Sequence, residues 1–154
     1  MDRVYELRVF GVFGAHEDWQ ARFLSNACCR ALLGLPIVIE QNVHFDYLDV
    51  EDLSRILECF SQKELRYRQY NICRGVAFDL KDLAARVIAI SQRELEIVVQ
   101  REGLGNEYSG DNRRMLAELP VWRFREMDES LERLYRWYEA RKSAIDMVTL
   151  RTED

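Results

Sequence analysis

A glycine-bearing loop contains the residues whose chemistry is most suggestive in this sequence. Its glycines are Gly103, Gly105 and Gly110. The spacing G-x-G-x-x-x-x-G is not the dinucleotide fingerprint, and Asp111 and Asn112 stand where a P-loop needs Lys and Ser/Thr. Arg101 and Tyr108 could still bind an anionic ligand, because a guanidinium pairs with phosphate and a phenol donates a hydrogen bond. The alternative is a simple turn before a capped helix.

Two other groups of residues give weaker signals for catalysis. Tyr138 and Lys142 have the Tyr-x-x-x-Lys spacing by which a lysine lowers a tyrosine pKa in hydride-transfer dehydrogenases. Tyr138 also fits an apolar helical stripe, and no nucleotide fingerprint precedes it, so we interpret it as a core tyrosine. Asp46, Asp49 and Asp52 are better explained by strand ends and helix caps. The residues alone therefore assign no catalytic group.

No metal site is predicted from the cysteines and histidines. The cysteines, none in C-x-x-C spacing, are Cys28, Cys29, Cys59 and Cys73. We interpret them as reduced thiols. His16 and His44 are too few, and too far from any cysteine pair, to complete a zinc site.

Composition indicates one ordinary soluble domain. The chain has 154 residues, 22 Lys+Arg against 27 Asp+Glu, and a net charge of −5. Acidic residues thus outnumber basic ones, and the basic residues form no continuous run, which argues against nucleic-acid binding. No apolar run approaches the roughly 18 residues that a membrane span needs, and no signal-peptide pattern begins the chain. We therefore expect a cytoplasmic protein without a membrane contact.

Strand and helix signals alternate along the whole chain, which predicts an α/β fold. Strands are predicted at residues 4–13, 37–40, 43–48, 67–73 and 95–100, the first of them apolar on both faces and buried. Helices are predicted after Asp18 as far as Gly34, after Asp49 with Leu53 and Leu57 inward, after Asp79, over 113–119, and after Asp128.

Five segments in order resemble a known family. They are LRVFGVFG (7–14), FDYLDVEDL (45–53), YNIC (70–73), REG (101–103) and LYRWYEA (134–140). Their order and approximate spacing resemble the C-terminal half of an extended short-chain dehydrogenase/reductase, of the NAD-dependent epimerase/dehydratase type that acts on nucleotide sugars. The resemblance implies a Rossmann-like α/β portion with late strands and a substrate-binding lobe over residues 1–143, and a tail over 144–154.

The resemblance also implies which parts are missing. In the family, the Gly-rich cofactor loop, the catalytic Ser/Thr and the Tyr-x-x-x-Lys pair precede the segment similar to LRVFGVFG, so Tyr138 and Lys142 are not carried over. We therefore expect the substrate-binding part of an NAD(P)-dependent epimerase, dehydratase or reductase, inactive without an N-terminal half. NAD or NADP is expected for the complete enzyme and neither for this chain alone. The alternative is a stand-alone ligand-binding or assembly module without redox chemistry.

The implied site is a substrate site for a nucleotide-sugar-like molecule. By its match to the family's R-R-E-G, Arg101 is implied as the pyrophosphate-binding arginine, and Tyr108 falls near a substrate-lobe tyrosine. Phe10, Gly11 and Phe13 would line the passage between nicotinamide and sugar. Gly11 and Phe45 depart from the Asn and Arg of a UDP-galactose epimerase. The first strand, left without its neighbours, is expected to make the chain self-associate, most simply as a two-fold dimer.

Overall fold

The computed structural model describes residues 4–145 and has the α/β fold that the sequence predicts. The strands are β1 (Glu6–Val9), β2 (Val12–Phe13), β3 (Ile37–Asn42), β4 (His44–Asp46), β5 (Leu48–Asp49), β6 (Gln69–Ile72), β7 (Ala77–Asp79) and β8 (Ile97–Leu104). The helices are α1 (Phe23–Leu33), α2 (Val50–Ser61), α3 (Leu80–Ser91), α4 (Arg113–Glu118) and α5 (Met127–Glu139), followed by a 3₁₀ turn at Lys142–Ala144.

Two aspartates cap helices as predicted. The Asp49 carboxylate accepts a hydrogen bond from the Glu51 backbone N–H at 2.8 Å, and α2 begins at the next residue. The Asp79 carboxylate accepts from the Lys81 and Asp82 N–H groups at the start of α3. These bonds satisfy N–H groups that the first turn of a helix leaves without a partner.

Three details of the helix predictions are wrong. The first helix begins at Phe23 instead of directly after Asp18, because Asp18 forms a separate turn in which its carbonyl accepts from the Ala21 and Arg22 N–H groups. It does end before Gly34, which takes the left-handed conformation with φ of 74°. The last helix begins at Met127, one residue before Asp128. Leu57 is 40% exposed and does not point into the core.

The first predicted strand is in fact two short strands, and the prediction that both of its faces are apolar and buried is wrong. β1 ends at Val9 and β2 begins at Val12. Within β1 the side chains alternate, so that Leu7 packs on the core while Glu6 and Arg8 are exposed. Gln69 on β6 donates a hydrogen bond to the Glu6 carboxylate at 2.8 Å. One face of this ribbon is therefore polar.

The strands pair as short ribbons. β1 with β6, β2 with β5, and β3 with β8 are parallel, whereas β4 with β7 is antiparallel. The sequence analysis did not predict β7, and β8 extends to Leu104, beyond its predicted end. Within residues 4–145, β1 pairs only with β6, so its other edge is open.

Two hydrophobic cores stabilise the fold. In the larger core, helices α1, α3 and α5 pack against one another, and α1 and α3 also pack against β3. Leu24, Leu83 and Leu131 are almost completely buried there. The smaller core lies between the β1–β6 ribbon and helices α2 and α4, around Ile56 and Ile72. Ile145, in the predicted tail, is buried on the larger core, and residues 146–154 lie outside the described residues.

A buried carboxylate connects the strands to two loops. Asp46, at the end of β4, is fully buried. It accepts hydrogen bonds from the backbone N–H groups of Arg74 at 3.0 Å and Gly75 at 2.8 Å, and the Gly110 N–H also bonds to it. Its burial raises the pKa above the ordinary value, although these bonds act in the opposite direction. Asp46 therefore fixes the segment after β6 and the loop before α4 relative to β4.

Replacing this carboxylate is expected to destabilise the fold. In Asp46→Asn, an amide N–H₂ would face backbone N–H donors, so we expect a loss of about 1 to 3 kcal/mol in the free energy of unfolding. The control is Asp128→Asn, which breaks an exposed ion pair with Arg86 and should cost less than about 1 kcal/mol. Urea denaturation measures both. Equal losses in the two variants would contradict the role given to Asp46.

Candidate functional site

An open cavity of about 700 Å³ lies where the first strands meet β4 and the loop before α4. Three of the residues that the resemblance implies for substrate binding line it: Phe10, Gly11 and Tyr108. Its other lining residues are Val9, Val12, Glu17, Ala21, Arg22, Phe23, Val43, Phe45, Tyr47 and Leu80. The cavity is thus mostly apolar with a few polar groups, as small-molecule sites usually are.

Aromatic rings form one wall of the cavity. Tyr108 stacks on Phe45 with ring centroids 4.7 Å apart, and Phe10 lies 5.2 Å from Tyr108. Phe45 also contacts Tyr47, at 4.6 Å. The backbone holds Tyr108 in this position, because its N–H donates to the His44 carbonyl and its own carbonyl accepts from the Asp46 N–H. Tyr108 is 44% exposed, so a ligand can reach it.

Gly11 and Phe45, the two residues that depart from the family's pattern, lie in contact with each other. A Cβ atom on Gly11 would collide with the backbone carbonyl oxygen of Asp46, and it would lie 2.5 Å from Cε1 of Phe45. No side chain fits at position 11 while the Asp46 carbonyl and the Phe45 ring occupy these places. The cavity wall therefore contains a phenyl ring in place of the polar asparagine and arginine side chains.

The implied pyrophosphate-binding residue, Arg101, lies in an adjacent cavity of about 520 Å³. Its guanidinium forms an ion pair with Glu40 at 2.9 Å, and both side chains are largely exposed. Arg22 lines both this cavity and the aromatic one. Because Phe23, Val43 and Leu80 also line both, the two cavities adjoin each other.

Phe13 is not part of this group. Its ring is 2% exposed and packs edge-on against Tyr47, with centroids 5.8 Å apart. It belongs to the larger core and does not line the aromatic cavity. A phenylalanine in a predicted strand cannot be assigned to a core or to a site from its sequence position alone.

Tyr138 is a core tyrosine, as the sequence analysis interprets it. Its hydroxyl donates to the Glu17 backbone carbonyl at 2.9 Å, and its burial raises the pKa to about 12. A tyrosine that acts as a general acid or base needs a pKa shifted toward neutral pH. Lys142 lies in the 3₁₀ turn beyond the end of α5.

The cysteines are thiols without a metal site. Cys28, Cys29 and Cys73 are buried, and burial raises the pKa of Cys29 and of Cys73 to about 12. Protonated thiols are poor metal ligands and poor nucleophiles. Among residues 4–145, no cluster of His, Cys, Asp and Glu could hold a metal ion. No helix in that same part of the chain is long and apolar enough to cross a membrane.

The glycine-bearing loop does not have the geometry of a dinucleotide cradle. Gly103 lies within β8, and Gly105 packs against Val43 and Gln41. Gly110 packs against Cys73 and Phe10. The helix that follows, α4, has only six residues. The backbone N–H groups of this loop therefore do not form the turn that holds the pyrophosphate of NAD or NADP at a helix N-terminus.

Three polar residues of the cavity were missed in the sequence analysis, namely Glu17, Arg22 and Tyr47. Glu17 and Arg22 lie in the irregular segment before α1. The sequence predicts a loop at Glu17 and a helix at Arg22. Tyr47 lies between β4 and β5, in a region that the sequence analysis treats as one strand. No hydrophobic period in these segments distinguishes a cavity-lining position from any other.

Comparison with known proteins identifies the fold. No protein-family model matches the sequence, and no curated protein matches it significantly. Solved structures do match. WbmF of Bordetella bronchiseptica, in complex with NADH, has a TM-score of 0.76 at 21% identity, over 99% of this chain and 50% of its own.

Two further solved structures agree. RMD from Pseudomonas aeruginosa, complexed with NADPH, matches with a TM-score of 0.76 and 23% identity over 90% of this chain and 48% of its own. UDP-glucose 4-epimerase of Thermotoga maritima, with UDP-glucose, has a TM-score of 0.71 and 20% identity over 90% and 46%. This chain spans about half the length of these enzymes. The resemblance to the C-terminal half of an extended short-chain dehydrogenase/reductase is confirmed as a likeness of fold.

The contact between Gly11 and Phe45 leads to a prediction. Gly11→Ala should destabilise the protein by about 1 to 3 kcal/mol, the usual cost of overpacking. Phe45→Ala should recover only part of this loss, because the Asp46 carbonyl oxygen remains in the way. Urea denaturation of the single and double variants measures the coupling.

The control for this comparison of single and double variants is Gly103→Ala. An added Cβ there meets no atom within 4 Å, although φ is +83°. Its cost should come from the backbone alone and should be the same with and without Phe45. If Gly11→Ala were as independent of Phe45 as Gly103→Ala, the proposed packing of the cavity wall would be wrong.

Proposed function

We propose that this chain is the substrate-binding part of an NAD(P)-dependent enzyme that acts on a nucleotide sugar, as an epimerase, dehydratase or reductase. The proposal is supported by one observation above all. Of the five residues that the resemblance assigns to substrate, Phe10, Gly11 and Tyr108 line a single cavity, and the cavity that contains Arg101 adjoins it, whereas Phe13 lies in the core. The proposed location is the cytoplasm, where buried thiols stay reduced.

In this proposal the sugar occupies the aromatic cavity. Phe10, Phe45 and Tyr108 offer an apolar wall for the C–H faces of a sugar ring. A few polar groups beside such a wall fix the orientation of the ligand. The cavity supplies binding and positioning, and no residue in it is proposed as the group that exchanges a hydride.

The diphosphate is proposed to lie beside Arg101. The Arg101–Glu40 pair has side chains that are 63% and 76% exposed, so it contributes little to stability. A diphosphate has more charge than Glu40 and presents oxygens for two parallel hydrogen bonds, so it should displace the carboxylate. Arg22 lies between the two cavities and can contact either part of the ligand.

Cofactor chemistry is proposed to come from an N-terminal half. WbmF and RMD were solved with NADH and NADPH, and this chain spans about half of each. When bound, such a cofactor accepts or donates the hydride. The open edge of β1 is where we propose that a strand of that half pairs with this chain, because its backbone groups need partners.

One observation favours a second candidate, a stand-alone ligand-binding module without redox chemistry. The exposed face of the β1–β6 ribbon is polar, with Glu6, Arg8 and Gln69 joined by hydrogen bonds. Such a face is suited to water and does not need a covering half-domain. A neighbouring reading frame that encodes a strand followed by G-x-x-G-x-x-G would favour the enzyme instead.

The proposed phosphate contact can be tested by calorimetric titration. UDP, GDP, CDP and dTDP sugars should include at least one that binds, and Arg101→Ala should weaken it by about 1.5 to 3 kcal/mol, the range for a hydrogen bond to a charged group. The control is Arg113→Ala, which removes an arginine that pairs with Asp111 on the surface. NADH and NADPH should show no saturable binding to the chain alone. Equal affinity of wild type and Arg101→Ala would contradict the assignment.

The open edge of β1 predicts self-association of the isolated chain. Light scattering at several concentrations should show dimers, and Val9→Lys should shift them toward monomer, because Val9 is 42% exposed beside that edge. Val121→Lys is the control, at a residue 92% exposed elsewhere. Phe13→Lys is unsuitable because Phe13 is in the core. A wild-type monomer at high micromolar concentration would contradict the prediction.

A further inference from the structure

Glu17 is an acidic residue in the wall of the aromatic cavity, and the role proposed above does not use it. It follows His16, whose φ of 69° is in the left-handed region that residues other than glycine seldom adopt. The His16 ring packs against Trp137, at 5.0 Å between centroids. Glu17, the next residue, is half-buried.

The backbone of Glu17 is held from two sides. Its carbonyl accepts the hydrogen bond from the Tyr138 hydroxyl at 2.9 Å, and its N–H donates to the Gly14 carbonyl at 3.4 Å. Tyr138 is itself buried in α5. Glu17 is therefore tied to the larger core, although it lies in a segment without regular secondary structure.

The two oxygens of the Glu17 carboxylate differ in their partners within the part of the chain that the structure describes. The Ser25 hydroxyl of α1 donates to Oε2 at 2.5 Å, and Ser25 is fully buried. Among residues 4–145, no hydrogen-bond donor lies on Oε1. Arg22 is close enough to lower the pKa of Glu17 by its charge, whereas Asp18 raises it. Burial is the largest effect and raises that pKa above its ordinary value.

The carboxylate also acts on another residue of the cavity wall. Tyr47 is buried in the same wall. Burial is the main cause that raises the pKa of Tyr47, and the negative charge of Glu17 raises it further. A carboxylate that has lost part of its hydration and retains a free oxygen is stabilised by a new hydrogen-bond donor. A hydroxyl group in the cavity would supply one.

We propose that Glu17 determines ligand specificity, by accepting through Oε1 a hydrogen bond from a ring hydroxyl of the sugar in the aromatic cavity. Ser25 fixes the other oxygen, so that the free one has a defined position. This inference rests on the proposed function, because it takes a nucleotide sugar as the ligand. The inference adds which part of the sugar is recognised, namely a hydroxyl group that donates a hydrogen bond. The aromatic wall alone cannot distinguish a hydroxyl group from a C–H group at that position.

Calorimetric titration can separate this inference from the proposed function. The probes are UDP-glucose, UDP-N-acetylglucosamine, GDP-mannose and dTDP-glucose, each beside its diphosphate UDP, GDP or dTDP. Glu17→Gln has nearly the same shape and should bind the best nucleotide sugar about tenfold or more weakly, while its affinity for the diphosphate stays unchanged. Glu17→Asp, which withdraws the charge by one methylene, should show the same pattern. The control, Glu58→Gln, alters an exposed glutamate of α2 and should change neither affinity.

Deoxy analogues of the best nucleotide sugar identify the hydroxyl. The analogue that lacks the recognised group should bind wild type and Glu17→Gln equally, whereas the other analogues should keep the tenfold difference. If Glu17→Gln binds the nucleotide sugar as tightly as wild type, or loses sugar and diphosphate binding equally, the inference about Glu17 is wrong and the proposed function stands. If wild type binds no diphosphate and no nucleotide sugar, the proposed function is wrong and the inference fails with it. Thermal melting of each variant verifies that it is folded.

Discussion

The site depends on the hydrogen bonds that the buried carboxylate of Asp46 accepts from backbone N–H groups. These bonds hold the segment at Arg74 and Gly75 and the loop at Gly110 against β4. Asn112 reinforces the arrangement, because its side-chain amide donates to the carbonyls of Cys73 and Arg74. With both loops fixed, Tyr108 reaches Phe45 and Phe10, and the cavity acquires its aromatic wall. A buried polar network of this kind specifies one loop conformation where apolar contacts alone would allow several.

The same strand end explains why the cavity differs from the family's pattern. The carbonyl of Asp46 lies against Gly11, and the ring of the neighbouring Phe45 closes the remaining space. A polar side chain at position 11 would need both to move, so the glycine and the phenylalanine depend on each other. Polar recognition in this cavity then comes from other positions. Glu17, Arg22 and Tyr47 also line the cavity, and Glu17 is fixed there by Ser25 and Tyr138.

The sequence predicted most of the elements whose position depends on interactions between residues close in the chain. The predictions failed where contacts between distant residues determine the structure. Asp49 and Asp79 cap helices because the capping bond spans only two or three residues, which a sequence pattern can reveal. The first strand was misread because its apolar residues outweighed Glu6 and Arg8, whose alternation indicates one exposed face. The position of Glu17 depends on a positive φ at His16 and on a tyrosine 121 positions later. The resemblance supplied Phe10 and Tyr108, and it also supplied Phe13, which the fold places in the core.

The central claim is that the aromatic cavity and its neighbour together bind one nucleotide sugar. The most direct test is an NMR titration of the ¹⁵N-labelled chain with UDP-glucose and, separately, with UDP. The account predicts that UDP shifts amide signals around Arg101 and Arg22, and that UDP-glucose shifts these and also the signals of Gly11, Glu17 and Tyr108. Shifts confined to residues outside the two cavities, with those of Gly11, Glu17 and Tyr108 unchanged by a ligand that binds, would contradict it.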